Sequence, residues 1–201
     1  MKKIFKNAII ITMSGAVLSA NAVAASHTVS KGDTMWKIAS KYQVGVSELI
    51  SANPGLENYD LIYPGQVINI PSVNSKVQEY ENEVIRLVNE IRRENALSPL
   101  SANWELSRVA RYKSQDMKDN NYFSHTSPTY GSPFKMIKDF GISYKSAGEN
   151  IAKGYKTPQA VVNSWMNSSG HRANILNSSY NTIGVGYVES GNYWTQMFIK
   201  K

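Results

Sequence analysis

Between His27 and Pro71 the chain fits two strand patterns and two helix patterns into one short stretch, and no other segment restricts the possible fold so tightly. Thr28-Val29-Ser30 reads as a strand, and Gly32-Asp33-Thr34 as a turn ending in a helix N-cap. Met35, Ile38, Ala39 and Tyr42 then recur at helical spacing. Val46 to Ile50 starts a second helix with Ser47 as its cap, and Asn53-Pro54-Gly55 ends it. Leu61 to Gln66 turns into Val67-Ile68-Asn69-Ile70, whose alternation marks a strand. The order is β-α-α-β, a compact unit over residues 26–72.

Residues 73–79 form a polar connector too short for a flexible tether, so a second unit over residues 80–201 should sit close by. There Tyr80, Val84, Leu87, Val88 and Ile91 mark one helical face, with Glu81, Arg86 and Glu90 opposite. A break around Pro99 precedes another helix with Leu106, Val109, Ala110 and Met117 inward. A loop with Pro128 and Pro133 leads to a short helix carrying Phe134, Met136 and Ile137. Gly148 to Ala152 reads as a strand edge. Pro158 starts a helix with Ala160, Val161, Val162 and Trp165, and residues 170–176 add a further turn. Thr182 to Val188 and Tyr193 to Ile199 read as strands joined at Gly191-Asn192. The fold class is α+β.

Residues that carry chemistry concentrate between Phe123 and Leu176, in Phe123-Ser124-His125, Gly148-Glu149-Asn150-Ile151-Ala152 and Ser169-Gly170-His171-Arg172. Two imidazoles and a carboxylate supply the donors needed to activate water or hold a divalent ion. Spacing alone does not bring them together, and the alternative is two surface histidines and a solvated glutamate. Ser124 is poorly placed as a nucleophile for His125, because neighbours in an extended chain face opposite ways. No G-x-S-x-G, H-E-x-x-H or Cys/His arrangement is present.

Residues 1–25 read as a secretory leader: Lys2, Lys3 and Lys6 precede the apolar run Ala8 to Leu18, and Ala22 and Ala24 fit an A-x-A cleavage site. The alternative is an uncleaved anchor, but Thr12, Ser14 and Gly15 interrupt the run before the ~20 apolar residues of a span. Loss of those three lysines would leave +4 of the formal +7. A modest positive charge suits an anionic cell wall, whereas dispersed Lys and Arg argue against nucleic acid. With no cysteines, disulfides and thiol nucleophiles are excluded, which points to a Gram-positive type of exoprotein.

The first unit opens on His27-Thr28-Val29 and Gly32-Asp33-Thr34 and closes on Pro64-Gly65-Gln66, Ile68 and Ile70-Pro71, and in this it closely resembles a LysM module. The resemblance implies binding of N-acetylglucosamine-containing glycans such as peptidoglycan. The implied groove has Gly32, Asp33, Thr34 and Met35 on one loop and Asn53, Pro54, Leu61, Ile62 and Tyr63 on the other. Backbone groups there would bond an acetamido group while apolar side chains pack on its methyl. Asp33 and Thr34 also read as helix-capping residues. His27 reads as a strand-opening residue.

The second unit resembles the bacterial branch of the CAP superfamily (cysteine-rich secretory proteins, antigen 5, pathogenesis-related 1). The likeness rests on the three motifs above together with Trp165 to Arg172, Asn89, Arg92 and Leu97 to Leu100. It implies a three-layer α-β-α sandwich. In animal and plant relatives a cleft holds two histidines and two acidic residues, and divalent ions have been placed there. His125 and Glu149 match the first of each, but Ser168 and Tyr193 occupy the other two slots. His171 is expected to fill the same cleft instead. His125, Glu149 and His171 could hold Zn²⁺ with one open position, or bind a polar substrate without metal. Asn150 and Arg172 would orient Glu149 or a ligand carboxylate, unless Glu149 simply pairs with Arg172.

The expectation is a secreted, wall-associated protein that binds peptidoglycan through LysM and offers its second domain to a wall, peptide or protein ligand. A metal-assisted peptidoglycan or peptide hydrolase is one alternative. A sporulation- or germination-associated regulator with a spore-protein partner is another.

Overall fold

The computed structural model describes residues 23–201, so most of the expected leader lies outside the described residues. Strand β1 (Val23–Thr28) pairs antiparallel with β2 (Val67–Pro71), in regular register from Ala25 opposite Ile70 onward. The first strand therefore ends where the sequence pattern suggested it began. Val29 donates its N–H to Gln66 O, accepts at its carbonyl from the Gly65 N–H, and drops its side chain into the core. Helix α1 (Met35–Tyr42) is capped by Thr34, whose hydroxyl accepts from the Lys37 N–H. Helix α2 (Val46–Ser51) starts instead from Gly45, because the Ser47 hydroxyl is engaged by Glu48. His27 lies at the end of β1 rather than opening a strand, and its ring reaches Tyr42 Oη at 3.1 Å and Asp33 at 2.9 Å, clamping β1 to both ends of α1.

Asn74 caps the long helix α3 (Ser75–Glu94), so the connector shrinks to residues 72–74. Behind it stands a four-stranded sheet in the order β3 (Ser101–Ala102), β5 (Thr182–Val188), β6 (Tyr193–Lys200), β4 (Ser146–Lys153). Only β3 runs parallel to its neighbour, and at two residues it shows no alternation from which a sequence pattern could reveal it. Helices α4 (Trp104–Asp119) and α5 (Pro133–Asp139) cover one face, and α3, α6 (Pro158–Met166) and α7 (Ser169–Ile175) the other, which is the expected three-layer sandwich. Among the described residues no helix is long and apolar enough to cross a membrane.

The two-residue period of the strands divides the core. Ile183, Val185, Tyr187, Trp194 and Phe198 pack toward α3 and α6, while Met197 and Ile199 pack toward α4 and α5. Gly184 and Gly186 also face α4, and there the helix rests on the strand backbone itself. A Cβ on Gly186 would lie 2.1 Å from the Ala110 carbonyl carbon and the Arg111 nitrogen. The close approach brings Ser107 Oγ to the Val185 N–H at 3.1 Å and Ser114 Oγ to the Gly186 carbonyl at 3.0 Å. Glu81, expected on the exposed face of α3, is instead buried. It accepts from Arg111 at 2.9 Å and the Tyr187 N–H at 3.1 Å, and desolvation raises its pKa to about 7.

Gly186→Ala should cost about 3 kcal/mol or more, since overpacking against backbone has no flexible neighbour to relieve it. Gly55, with nothing within 4 Å of an added Cβ, is the control and should shift by less than about 0.5 kcal/mol. Denaturant midpoints of the two variants check this.

Candidate functional site

Strand β4 is one of the two edges of the sheet, and the candidate cleft is built around it. Its outward carbonyls are not left bare: Asn174 Nδ2 donates to Glu149 O at 3.2 Å and Trp165 Nε1 to Ile151 O at 3.3 Å. Gly148 lets the strand come this close to α7 and the residues after it, since a Cβ there would meet Tyr180 Oη at 2.7 Å.

Strand alternation sends the side chains of Glu149 and Asn150 to opposite layers. Glu149 points to the α4 side, with its side chain 2% exposed. Asn150 points to the α7 side. There it donates to His171 O at 3.1 Å and Gln196 Oε1 at 2.9 Å, and accepts from Asn174 at 2.8 Å. Asn150 thus orients α7 rather than the Glu149 carboxylate. Arg172 is exposed and forms no ion pair among the described residues, so the alternative Glu149–Arg172 pairing is not made.

His125 arrives from the loop between α4 and α5. That loop is pinned from below by two buried residues of α4 that sequence reasoning missed. Asp116 accepts from Ser127 Oγ at 2.7 Å, Thr129 Oγ1 at 2.6 Å, Asn120 Nδ2 at 2.7 Å and the Tyr122 hydroxyl. Burial opposes its charge, but these four bonds prevail and hold its pKa below the usual carboxylate value. Lys113, fully buried, donates to His125 O at 2.8 Å and Tyr122 Oη at 3.1 Å. Desolvation lowers its pKa against the pull of Glu149 and Asp116. A lysine and an aspartate three apart on a helix otherwise apolar on that side were the only available signal.

So placed, His125 Nδ1 donates to Glu149 Oε1 at 2.7 Å. That bond raises the histidine's pKa above 6.5, while burial raises that of Glu149. The second oxygen, Glu149 Oε2, is buried without a partner, as is Gln196 Nε2. His171, on α7, sits across the β4 edge, half-buried; desolvation and the nearby His125 charge lower its pKa. The two imidazoles therefore sense one another electrostatically. Among the described residues, however, no group of three or more His, Cys, Asp or Glu side chains is arranged to hold a metal ion. The bond between His125 Nδ1 and Glu149 Oε1 leaves Glu149 Oε2 and the second ring nitrogen of His125 as the atoms not committed to this pair.

In the first module, the proposed glycan loops divide. Gly32, Pro54, Leu61 and Tyr63 are exposed and Ile62 packs partly on the core. Met35 is buried, and Asn53 turns inward to bond Leu49 O, Asn69 O and the Asn69 N–H. Asp33 and Thr34 are occupied as loop and helix caps.

An α-β-α sandwich with an imidazole–carboxylate pair at its open sheet edge, carried behind a βααβ module, is the architecture of a LysM–CAP protein. The chain belongs to the Cysteine-rich secretory protein family (CAP), whose profile matches residues 85–198, and a LysM domain matches residues 27–71. It is similar to YkwD of Bacillus subtilis strain 168, 63% identical over 130 residues that cover 65% of this chain and 51% of that one. The crystal structure of an extracellular protein containing a SCP domain from Bacillus anthracis str. Ames superposes with a TM-score of 0.60 at 37% identity, covering 69% of this chain and 47% of that one. N-acetylmuramoyl-L-alanine amidase sle1 of Staphylococcus epidermidis is 32% identical over 106 residues, 52% of this chain and 31% of its own. The chain spans about half the length of the curated relatives it matches most extensively.

With three histidines in the chain, proton NMR titration resolves the pair. His125 should titrate above 6.5 and His171 below it, and Glu149→Gln should bring His125 down toward 6.5. For stability, a raised histidine pKa means the contact contributes fully below about 6.5 and is lost as pH rises through the folded-state value. The raised Glu149 acts in the same direction, so wild type should lose more stability than Glu149→Gln between mildly acidic and mildly alkaline pH. Thermal melts over that range test the sign.

Proposed function

We propose that the LysM module holds this protein on peptidoglycan outside the cell and that the CAP cleft engages an anionic wall or peptide ligand. The observation that carries the reading is the uncovered apolar loop face of the first module, where Leu61 and Tyr63 stand 51% and 57% exposed beside Pro54 and Gly32. Large apolar side chains left in water on adjacent turns mark a surface meant to be covered. An N-acetyl methyl and a sugar face fit such a surface, with loop N–H and C=O groups within reach of the amide.

The cleft complements this. His125 is exposed and its bond to Glu149 favours the charged imidazolium, and Arg172 presents a positive group from α7. Together they suit a carboxylate, such as the end of a wall peptide. Retention on the wall raises the local concentration of any such ligand. The LysM match and the extracellular relative support an extracellular, wall-associated location.

A second reading is favoured by one observation: Glu149 orients His125 through Nδ1, leaving Nε2 outward as a general base. In that reading the protein hydrolyses peptidoglycan or peptide bonds; the similar Staphylococcus epidermidis protein is named an N-acetylmuramoyl-L-alanine amidase. Muropeptide release by the purified chain, lost in His125→Ala, would establish it.

Sedimentation with purified peptidoglycan tests the first reading. The double variant Leu61→Ala/Tyr63→Ala should keep its melting temperature and lose about tenfold or more in affinity, roughly the loss of two exposed contacts of about 0.7 kcal/mol each. Unchanged retention would overturn it.

A further inference from the structure

A sizeable cavity lies outside both the CAP cleft and the LysM loop face. It is a groove of about 530 Å³ where the two modules meet, between α1 and the α1–α2 turn on one side and the start of α4 and the end of α5 on the other. Two tryptophans line it. Trp36, on α1, is 68% exposed, the most exposed large apolar side chain among the described residues. Trp104, the first residue of α4, faces the groove from the second module and is half-buried. Neither position was singled out by the LysM or CAP motifs.

The polar lining is as specific. Arg108 lies one turn beyond Trp104 and is fixed by a two-pronged ion pair to Glu48, Nε to Oε1 at 2.6 Å and Nη2 to Oε2 at 3.0 Å. Its guanidinium is further braced over the Tyr112 and Phe140 rings, 5.4 and 5.3 Å from their centroids. Glu105 and Asp139 place carboxylates on the rim, both exposed, with Asp139 also paired to Lys135. Flat aromatic faces beside carboxylates and a rigid guanidinium suit a ligand with apolar ring faces and a girdle of hydroxyls. Aromatic rings take the C–H faces of a pyranose, and carboxylates accept from vicinal hydroxyls. The volume lies in the range of small-ligand sites and admits a short run of sugar rings.

We propose that this groove is a second saccharide site, formed only when both modules are present, that takes a segment of N-acetylated glycan strand. It rests on the reading that the LysM module binds such a glycan, and it adds a contact to the CAP domain's own helices α4 and α5. A strand held at both places would fix the CAP cleft in one orientation over the wall. The preorganised Arg108–Glu48 pair lets this happen with little ordering cost, because the module junction is already set in the free protein.

Chitopentaose binding by the full chain, read by calorimetry and tryptophan fluorescence, tests it. Trp36→Ala and Glu105→Gln should each weaken binding by about fivefold or more with unchanged melting temperature, and Trp36→Phe should restore most of the Trp36→Ala loss. Leu61→Ala/Tyr63→Ala is measured alongside. If that double variant loses binding while Trp36→Ala and Glu105→Gln stay within twofold of wild type, the groove is not a saccharide site and the LysM reading stands. If the groove variants lose binding and the loop variant does not, the groove stands and the loop face is not the anchor. If wild type does not bind chitopentaose, both fall. Competition for the groove by a sugar-free wall peptide would also overturn the saccharide assignment.

Discussion

Gly184 and Gly186 leave a strip of β5 without side chains, and α4 settles onto it backbone to backbone. Everything at the cleft depends on that contact. Because the helix lies this low, Ser107 and Ser114 can bond directly to the strand and fix its axial position and rotation. With the rotation fixed, Lys113 and Asp116 face the end of the sheet where β4 runs. Those two residues hold the loop that carries His125, and the loop delivers the imidazole to Glu149.

The charges beneath the cleft are costly one by one. A buried ammonium and two buried carboxylates each lose solvation that mutual attraction only partly returns. The structure distributes the compensation unevenly. Asp116 has four side-chain donors, and Lys113 has a carbonyl and a phenol. Glu149 has a single bond, from the exposed His125, and an orphan oxygen. Unmet hydrogen-bonding capacity therefore falls on Glu149 at the cleft wall and on Gln196 of β6, while the Asp116 carboxylate that supports the loop is well supplied with donors.

The last two strands were legible from their own apolar runs and the Gly191-Asn192 turn between them, whereas the three-layer sandwich was legible through the family resemblance. The approach of His125 to Glu149 was legible only through family motifs, since nothing in the spacing brings residue 125 to 149. What stayed hidden has one cause in several forms: polar residues whose partners are distant in sequence. Glu81 read as a solvated helix position, yet Arg111 and the Tyr187 N–H make its burial tolerable. Asn53 read as part of a sugar-binding loop, yet Asn69 turns it into an internal clasp. Asn150 was placed beside the Glu149 carboxylate, although the alternation that set Ser124 apart from His125 sends Asn150 to the opposite layer.

Helix α4 is also where the two modules become one object. Arg108 leaves it sideways to grip Glu48 and Ser47 of α2, and the bare Gly45 gives the guanidinium room, since a Cβ there would lie 2.2 Å from Arg108 Nε. A bidentate, partly buried pair on so short a connector holds orientation better than an exposed ion pair, whose geometry water and salt readily loosen. The same rigid rod thus carries the sheet contact at Ser107 and Ser114, the loop anchors at Lys113 and Asp116, and the module contact at Arg108. A displacement imposed on the LysM module is carried along that route through these fixed contacts, so the exposed loop face of the first module and the cleft share one frame of reference.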